Sequence, residues 1–398
     1  MNVIIKKSKL KGEVIAPPSK SYSHRYLIGA MLANNQSVIS NIYFSDDVLA
    51  TLNCIKAMGK NYKIDGNNIE IYDDNIENDL PIFDCNESGS TLRFFIPIAL
   101  SKYEKVIFKG SKRLLERGIS IYENILKDVK FIKEENQITI IGKLNPGHYK
   151  IDGSISSQYI TGLLFALPLL NKDSIIEILP PITSKNYIDM TLEVLNKYQI
   201  KYEMNDNIIK IFKNQSYIAI NQFIEGDYSN AAFLDAFNYF NNNIVIKNLN
   251  PYSLQGDKVY IDYFKKLNEG NVTLDIKNCI DLGPILFVFA SLKHGATFIN
   301  TNRLKIKESD RANAIKEELA KINVNIDILD NKVIVHKSNI INNNIAFNSH
   351  NDHRIAMALS LLATQFDITI NDASCINKSY PHYFKDLKKL GVDIYETN

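Results

Sequence analysis

Residues 302–311 read Asn-Arg-Leu-Lys-Ile-Lys-Glu-Ser-Asp-Arg. They hold the densest set of groups able to do chemistry. Behind them Ala312, Ile315, Leu319 and Ile322 recur at helical spacing, and Ser309 is a suitable N-cap for that helix. Lys307 and Glu308 then stand just ahead of the helix and Arg311 in its first turn. Cations at the positive end of a helix oppose the macrodipole. The arrangement makes sense if an anion sits there, held by free backbone N–H groups and the cations together. Glu308 adds a proton-transfer group. The plain alternative is a solvated, charged helix start.

The same design recurs along the chain. Pro17-Pro18-Ser19-Lys20-Ser21-Tyr22-Ser23-His24-Arg25 precedes a helix with Leu27, Ile28, Met31 and Leu32 on one face. The prolines stop a strand, and Ser19 or Ser21 caps the helix, with Lys20 just before its first turn. Ser21 and Arg25, four apart, share a face. At 86–93, Asn-Glu-Ser-Gly-Ser-Thr-Leu-Arg opens an apolar helix. Gly89 there lets backbone approach a ligand, Arg93 lies early in the helix, and Pro97 should kink it. Further helix starts follow 153–158, 226–229, 281–284 and 351–354. Lys20, Arg25, Arg93, Arg117, Lys307, Arg311, Arg354 and Lys378 all lie at helix starts or in turn-like stretches. Their repeated coupling to Ser, Gly, Asp and Gln favours one convergent anion site over scattered solubility charges.

Several residues carry two readings. Asp46-Asp47 can cap the helix holding Val48 and Leu52 or take part in chemistry. Asp281 can be an N-cap; beside Glu308 it becomes one of two carboxylates able to divide acid and base work. His350 and His353 fit capping or ligand contact better than metal binding, with no cysteine or third histidine near. Ser156-Ser157 lacks a Gly-x-Ser-x-Gly elbow, so hydrogen bonding to a phosphate is the better reading. His24 is ambiguous.

Elements alternate without a linker. Residues 1–15 read as a short strand with a turn at Gly12. Runs of β-branched residues at 137–142, 175–179, 207–212, 243–247, 271–276, 332–336 and 367–370 read as strands between the helices. The Asn-rich tips Asn241 to Asn243 and Asn342 to Asn344 read as loops. A repeated α/β unit with converging helix N-termini accounts for this pattern.

Composition excludes several classes. With 398 residues, 45% hydrophobic and 23% charged, the chain suits a globular protein of two or three domains. A net charge of +2 gives no bulk field for nucleic acid. The four cysteines are far apart, which suits a reducing, cytoplasmic setting and no structural zinc. Neither a signal peptide nor a membrane span is evident, the longest apolar run being 159–170. No Walker A or Gly-x-Gly-x-x-Gly sequence points to a nucleotide.

Together PPSKSYSHR (17–25), ESGSTLR (87–93), DGSISSQ (152–158), SKNYID (184–189), EGDYSNA (225–231), LQGD (254–257), KESDR (307–311), NDHR (351–354) and the region of Lys378 resemble the 5-enolpyruvylshikimate-3-phosphate synthase family, in order, to about residue 390. The resemblance implies an inside-out α/β barrel-like fold of two lobes, each of three βαβαββ units. Residues 1–17 plus 227–398 would form one lobe and 18–226 the other, with the active site in the cleft between them. It implies a monomer with no cofactor and no metal, acting on small molecules in the shikimate pathway toward chorismate and aromatic amino acids. The reaction would move the enolpyruvyl group of phosphoenolpyruvate to the 5-hydroxyl of shikimate 3-phosphate and release phosphate. The family is the target of glyphosate.

By resemblance, Asp281 would be the base, with Glu308, Lys307 and Lys20 as its catalytic company. Lys20, Gly89, Arg93, Arg117, Gln158, Arg311, Arg354 and Lys378 would hold phosphoenolpyruvate. Lys20, Ser21, Arg25, Ser156, Ser157, Gln158, Ser184, Tyr187, Asp281 and Lys307 would hold shikimate 3-phosphate. Glu87, Arg303 and His24 stand where many or some relatives carry Asn, and Glu87 is expected to pair with a cation or cap a helix. Two alternatives are weaker. UDP-N-acetylglucosamine enolpyruvyl transferase would need Lys-Asn where Lys20-Ser21 stands and a cysteine near 105–120. An inactive phosphosugar-binding homologue would have no use for Asp281 and Glu308 among anions.

Overall fold

The computed structural model describes residues 1–74, 79–341 and 345–397. The loop expected at Asn342 to Asn344 lies outside them. The chain divides into two compact units, Pro18–Glu225 and Met1–Pro17 with Gly226–Asn398. Each has its own hydrophobic core.

Within 18–225 the helices are α1 (Lys20–Leu32), α2 (Asp46–Ala57), α3 (Gly89–Lys102), α4 (Lys112–Glu116), α5 (Ser120–Ile125), α6 (Ser157–Ala166) and α7 (Lys185–Lys197). Three four-stranded sheets accompany them, each a parallel pair extended by an antiparallel hairpin. One runs strand Ile82–Asp84, α3, strand Lys105–Lys109, α4 and α5, then hairpin Lys130–Lys133 and Gln137–Ile141. The next repeats this order from His148–Asp152 to Ile208–Ile211. The third takes its outer strand, Gln222–Phe223, from the end of the unit, beside Ser37–Ser40.

The other unit contains α8 (Tyr228–Asp235), α9 (Tyr260–Glu269), α10 (Gly283–Ser291), α11 (Arg311–Ala320), α12 (His353–Ser360) and α13 (Tyr383–Lys389). The stretch from Thr273–Asp275 to Lys332–Val335 is again strand, helix, strand, helix, hairpin. A second such sheet is completed by the N-terminal strand Asn2–Ile5, antiparallel to both Ile368–Asn371 and Ile394–Thr397. The third copy keeps only its parallel pair, Lys11–Ile15 with Asn243–Lys247. Only residues 270–272 separate α9 from the next strand, so there is no chain for a hairpin.

Some local expectations need correction. Residues 1–15 form two strands, and Gly12 lies inside the second at φ +128°, a conformation that favours glycine. Asn241 takes the left-handed conformation, but Asn243 already belongs to a strand. Five helices of the site begin with a side-chain cap at a helix start that the sequence marks. Ser19, Ser88, Ser156, Asp227 and Asp352 each accept a backbone N–H of the first turn that they cap.

Candidate active-site clusters

In the unit 18–225, α1 begins at Lys20 itself, capped by Ser19. The Lys20 ammonium lies 2.6 Å from Asp47 Oδ2. Asp46 and Asp47 are therefore not caps; Ser45 occupies that position, and Asp47 in the first turn of α2 is the partner of Lys20. One turn along α1, Arg25 is almost wholly buried. Its Nε donates to Thr191 Oγ1 at 2.9 Å, Nη1 to the Ser21 carbonyl at 2.8 Å and Nη2 to the Tyr187 carbonyl at 3.0 Å. These partners are neutral, and burial pushes the guanidinium down to about 10. A buried cation among dipoles is a ready anion site. Ser184, buried and left-handed at φ 56°, leads into α7, so α1 and α7 bring Ser21, Arg25 and Tyr187 together. Ser156 Oγ caps α6 by accepting from Gln158 N at 3.3 Å, and Ser157 opens that helix.

A second group gathers at the starts of α3 and α6. Arg93 Nη1 donates to Gln158 Oε1 at 2.6 Å, and Gln158 Nε2 donates to Ser90 Oγ at 3.0 Å. Arg93 Nη2 also reaches the carbonyls of Arg117 and Gly118, at 3.4 and 3.2 Å. A Cβ added at Gly89 would lie 2.9 Å from Arg93 Nη1 and 3.0 Å from Arg117 Nη2. Two guanidinium groups thus converge over the one residue that has no side chain to obstruct them. Gly89, Arg93, Arg117 and Gln158 lie together. His24 belongs to the scaffold below them. Its Nδ1 is 2.7 Å from Thr51 Oγ1, which lies 2.8 Å from Thr91 Oγ1, which in turn donates to the cap Ser88 at 2.8 Å. Burial pushes its imidazole down to about 3, so it is neutral. The cap of α3 is Ser88 rather than Glu87.

In the other unit Arg311 is the hub. Its Nε donates to Asp352 Oδ2 at 2.8 Å, Nη1 to Asp281 Oδ1 at 2.7 Å and Nη2 to Glu308 Oε2 at 2.6 Å, and its side chain is 1% exposed. The anion that this helix start calls for is supplied by the protein's own carboxylates. The cap of α11 is Asp310, which accepts from Asn313 N, whereas Ser309 donates to Asp352 Oδ2 at 3.0 Å. Asp281 is likewise no cap. It lies in a 3₁₀ turn ahead of α10 and receives Lys307 Nζ at 2.9 Å and Arg354 Nη2 at 3.5 Å besides Arg311. Burial alone would raise its carboxyl, but Arg354, Lys307 and Arg311 together hold it well below the usual carboxylate range. Arg354 Nη1 donates to Ser229 Oγ at 2.6 Å. Lys378, also buried, donates to the Asn351 carbonyl at 2.6 Å. Arg303 Nη1 donates to the Lys277 carbonyl at 3.3 Å.

Burial pushes the Lys307 ammonium down to about 8, against the opposing pull of Asp281. Between about 8 and its unfolded value near 10.4 the unfolded chain holds the extra proton, so this group does not cost fold stability as pH rises. The loss should fall on activity instead. Were Lys307 to act as a cation on substrate, kcat/KM would decline above pH about 8. In Lys307→Arg that alkaline limb should move upward, because arginine stays charged. A limb unchanged in the arginine variant would count against Lys307 as its source.

Ser90, Ser229, Asp257 and Asp352 join these groups without having been singled out, and Asp47 joins them as the partner of Lys20. The first four lie in quoted motifs: Ser90 in ESGSTLR, Ser229 in EGDYSNA, Asp257 in LQGD and Asp352 in NDHR. Asp257 is buried, hydrogen-bonds Ser229 and is pushed up to about 7 by burial and by Asp281. Among the described residues no group of His, Cys, Asp or Glu could hold a metal ion, and no helix is long and apolar enough to cross a membrane.

Comparison with known proteins bears on the family and the fold. The family profile described as EPSP synthase (3-phosphoshikimate 1-carboxyvinyltransferase) matches residues 4–387. A 3-phosphoshikimate 1-carboxyvinyltransferase of Clostridium perfringens is 40% identical, with 98% of each chain covered. One of Clostridioides difficile is 39% identical, again with 98% of each covered. Among solved structures, an EPSP synthase from Acinetobacter baumannii superposes with a TM-score of 0.78 at 18% identity, over 99% of this chain and all of that one. The enolpyruvyl transferase NikO from Streptomyces tendae gives 0.77 at 12% identity, over 99% and 98%. The structural likeness shows the two-domain enolpyruvyl transferase fold, and with the sequence matches it follows that the chain belongs to the EPSP synthase family.

Proposed function

We propose that the chain transfers the enolpyruvyl group of phosphoenolpyruvate to the 5-hydroxyl of shikimate 3-phosphate and releases phosphate. The observation that carries the chemical part is the pairing of Asp281 and Glu308 on one guanidinium, with Lys307 2.9 Å from Asp281. Binding alone has no need of two carboxylates where anions must come. The two substrates bring about five to six negative charges. Arg25, Arg93, Arg117, Lys20, Arg354 and Lys378 offset that repulsion and stabilise the charge that develops in the reaction.

In this reading a proton from the Lys307–Glu308 pair adds to the methylene carbon of phosphoenolpyruvate, making its central carbon electrophilic. Asp281 accepts the proton of the 5-hydroxyl as that oxygen attacks. The tetrahedral intermediate then returns a proton from the new methyl group to that pair, the carbon–carbon double bond re-forms to give the enol ether, and the C–O bond to phosphate breaks with its electrons leaving on phosphate. A carboxylate held so low is a weak base in the free protein. Substrate anions sharing Arg354 and Lys307 would weaken that hold and raise Asp281 toward a useful range. Arg25, Ser21, Ser156, Ser157, Gln158, Ser184 and Tyr187 would hold shikimate 3-phosphate, together with Lys20. Gly89, Arg93, Arg117, Gln158, Arg311, Arg354 and Lys378 would serve phosphoenolpyruvate. Arg311 does so through the carboxylates it aligns.

The test is phosphate release with both substrates, with each omitted in turn, and with UDP-N-acetylglucosamine as rival acceptor. Release that needs both shikimate 3-phosphate and phosphoenolpyruvate is expected. Release with the UDP-sugar, or none from folded protein that still binds shikimate 3-phosphate, would sink the proposal.

A further inference from the structure

Pro97 stands inside α3 and has no N–H to give to the carbonyl four residues back. That carbonyl belongs to Arg93. A buried carbonyl without a partner is costly, so it must be answered from elsewhere. The Tyr122 hydroxyl of α5 lies 2.7 Å from Arg93 O, and 3.1 Å from Tyr159 O on α6. Tyr122 is fully buried, and burial holds its hydroxyl protonated far beyond neutral pH. The proton donor is therefore always present.

The space for this contact is built. A Cβ at Gly162 would lie 2.5 Å from Tyr122 Oη, 2.6 Å from Arg93 O and 2.9 Å from Pro97 Cγ. Hydroxyl, carbonyl and proline ring meet where α6 has no side chain. The same residue is held at its other end. The Arg93 guanidinium donates to Gln158 and Gly118, and lies 5.3 Å from the centre of the Tyr159 ring. The Tyr159 hydroxyl also donates to Gly118 O, at 3.1 Å. Tyr122 and Tyr159 pack edge to face, with centroids 4.9 Å apart.

We propose that Tyr122 is a positioning residue for Arg93: its hydroxyl replaces the amide hydrogen that Pro97 lacks and so fixes the backbone from which Arg93 reaches phosphoenolpyruvate. This rests on the proposed role of Arg93 as a phosphoenolpyruvate ligand. The pairing of a missing donor with a foreign one makes it separable from general packing, because Pro97→Ala gives the helix its own donor back.

The experiment is a cycle of Tyr122→Phe, Pro97→Ala and the double variant, read by KM for each substrate and by thermal midpoint. Tyr122→Phe is expected to raise KM for phosphoenolpyruvate about fivefold, the scale of one weakened buried hydrogen bond. KM for shikimate 3-phosphate should stay within about twofold. A mere loss of folded enzyme would instead lower the rate and leave both KM values where they were. In the Pro97→Ala background the same Tyr122→Phe change should cost less than about twofold, since the alanine introduced there supplies an N–H to the Arg93 carbonyl. Equal penalties in both backgrounds, or no change of KM or midpoint in Tyr122→Phe, would overturn the proposal. If Tyr122→Phe does not fold, a folded double variant supports it and an unfolded one overturns it. Wild-type protein that releases no phosphate overturns the Arg93 assignment, and the midpoints alone then decide whether Tyr122 and Pro97 are coupled.

Discussion

Asp281→Asn is expected to lower turnover by about 10²–10⁴-fold, the range for loss of a positioned general base. Binding of shikimate 3-phosphate should change by less than about tenfold. The asparagine keeps the shape and one oxygen acceptor for Lys307 and Arg311, which lie 2.9 and 2.7 Å from Oδ1. What it removes is the charge and the site for the proton. Turnover is measured by phosphate release at saturating substrates, and binding by calorimetry with shikimate 3-phosphate alone. Comparable losses in both would show that Asp281 acts as a binding group and would remove it from the role of base.

Arg311→Met should be the most damaging single change to the fold of the unit that holds it. The arginine is buried between Asp352, Asp281 and Glu308, and Asp352 is itself fully buried. Burial opposes the guanidinium charge, but the three carboxylates more than restore it. Removing one partner of a buried ionic group leaves the others uncompensated, at a cost of about 3–5 kcal/mol. Urea unfolding followed by circular dichroism should show that loss. Arg311→Lys should fall between, because an ammonium cannot serve three carboxylates with a planar fork. A loss under about 1 kcal/mol for Arg311→Met would mean that the carboxylates find other partners and that Arg311 is not the hub.

The helix starts were legible because capping is local. Ser19 and the early positions of Arg93 and Arg354 follow from neighbours in sequence. The cap of α11 was misplaced by one residue because Ser309 and Asp310 are both good caps, and Ser309 is drawn off by Asp352, forty-three positions away. Asp281 illustrates the general limit. Its role depends on Arg354, whose place beside it is set by the packing of α10 against α12, not by any local pattern. Ser184 and Tyr187 were reached only through the family resemblance. Arg25 uses the backbone carbonyl of Tyr187, which every residue type possesses, so no side chain announces the contact. The repeat was visible as alternating elements. Its shortened third copy was not, because a missing hairpin leaves no signature beyond a short connection.

The pairing of the N-terminal strand has a consequence for how the protein is made. Residues 2–5 lie between strands at 368–371 and 394–397, so their partners are synthesised only after the whole of 18–225. Every sheet within 18–225 closes on residues of that same stretch. Vectorial synthesis can therefore complete that unit early. The opening strand must wait with its edge unpaired until the rest of its sheet emerges, and closing so long a loop is entropically slow. Residues 2–5 are translated before the unit 18–225 and placed after it.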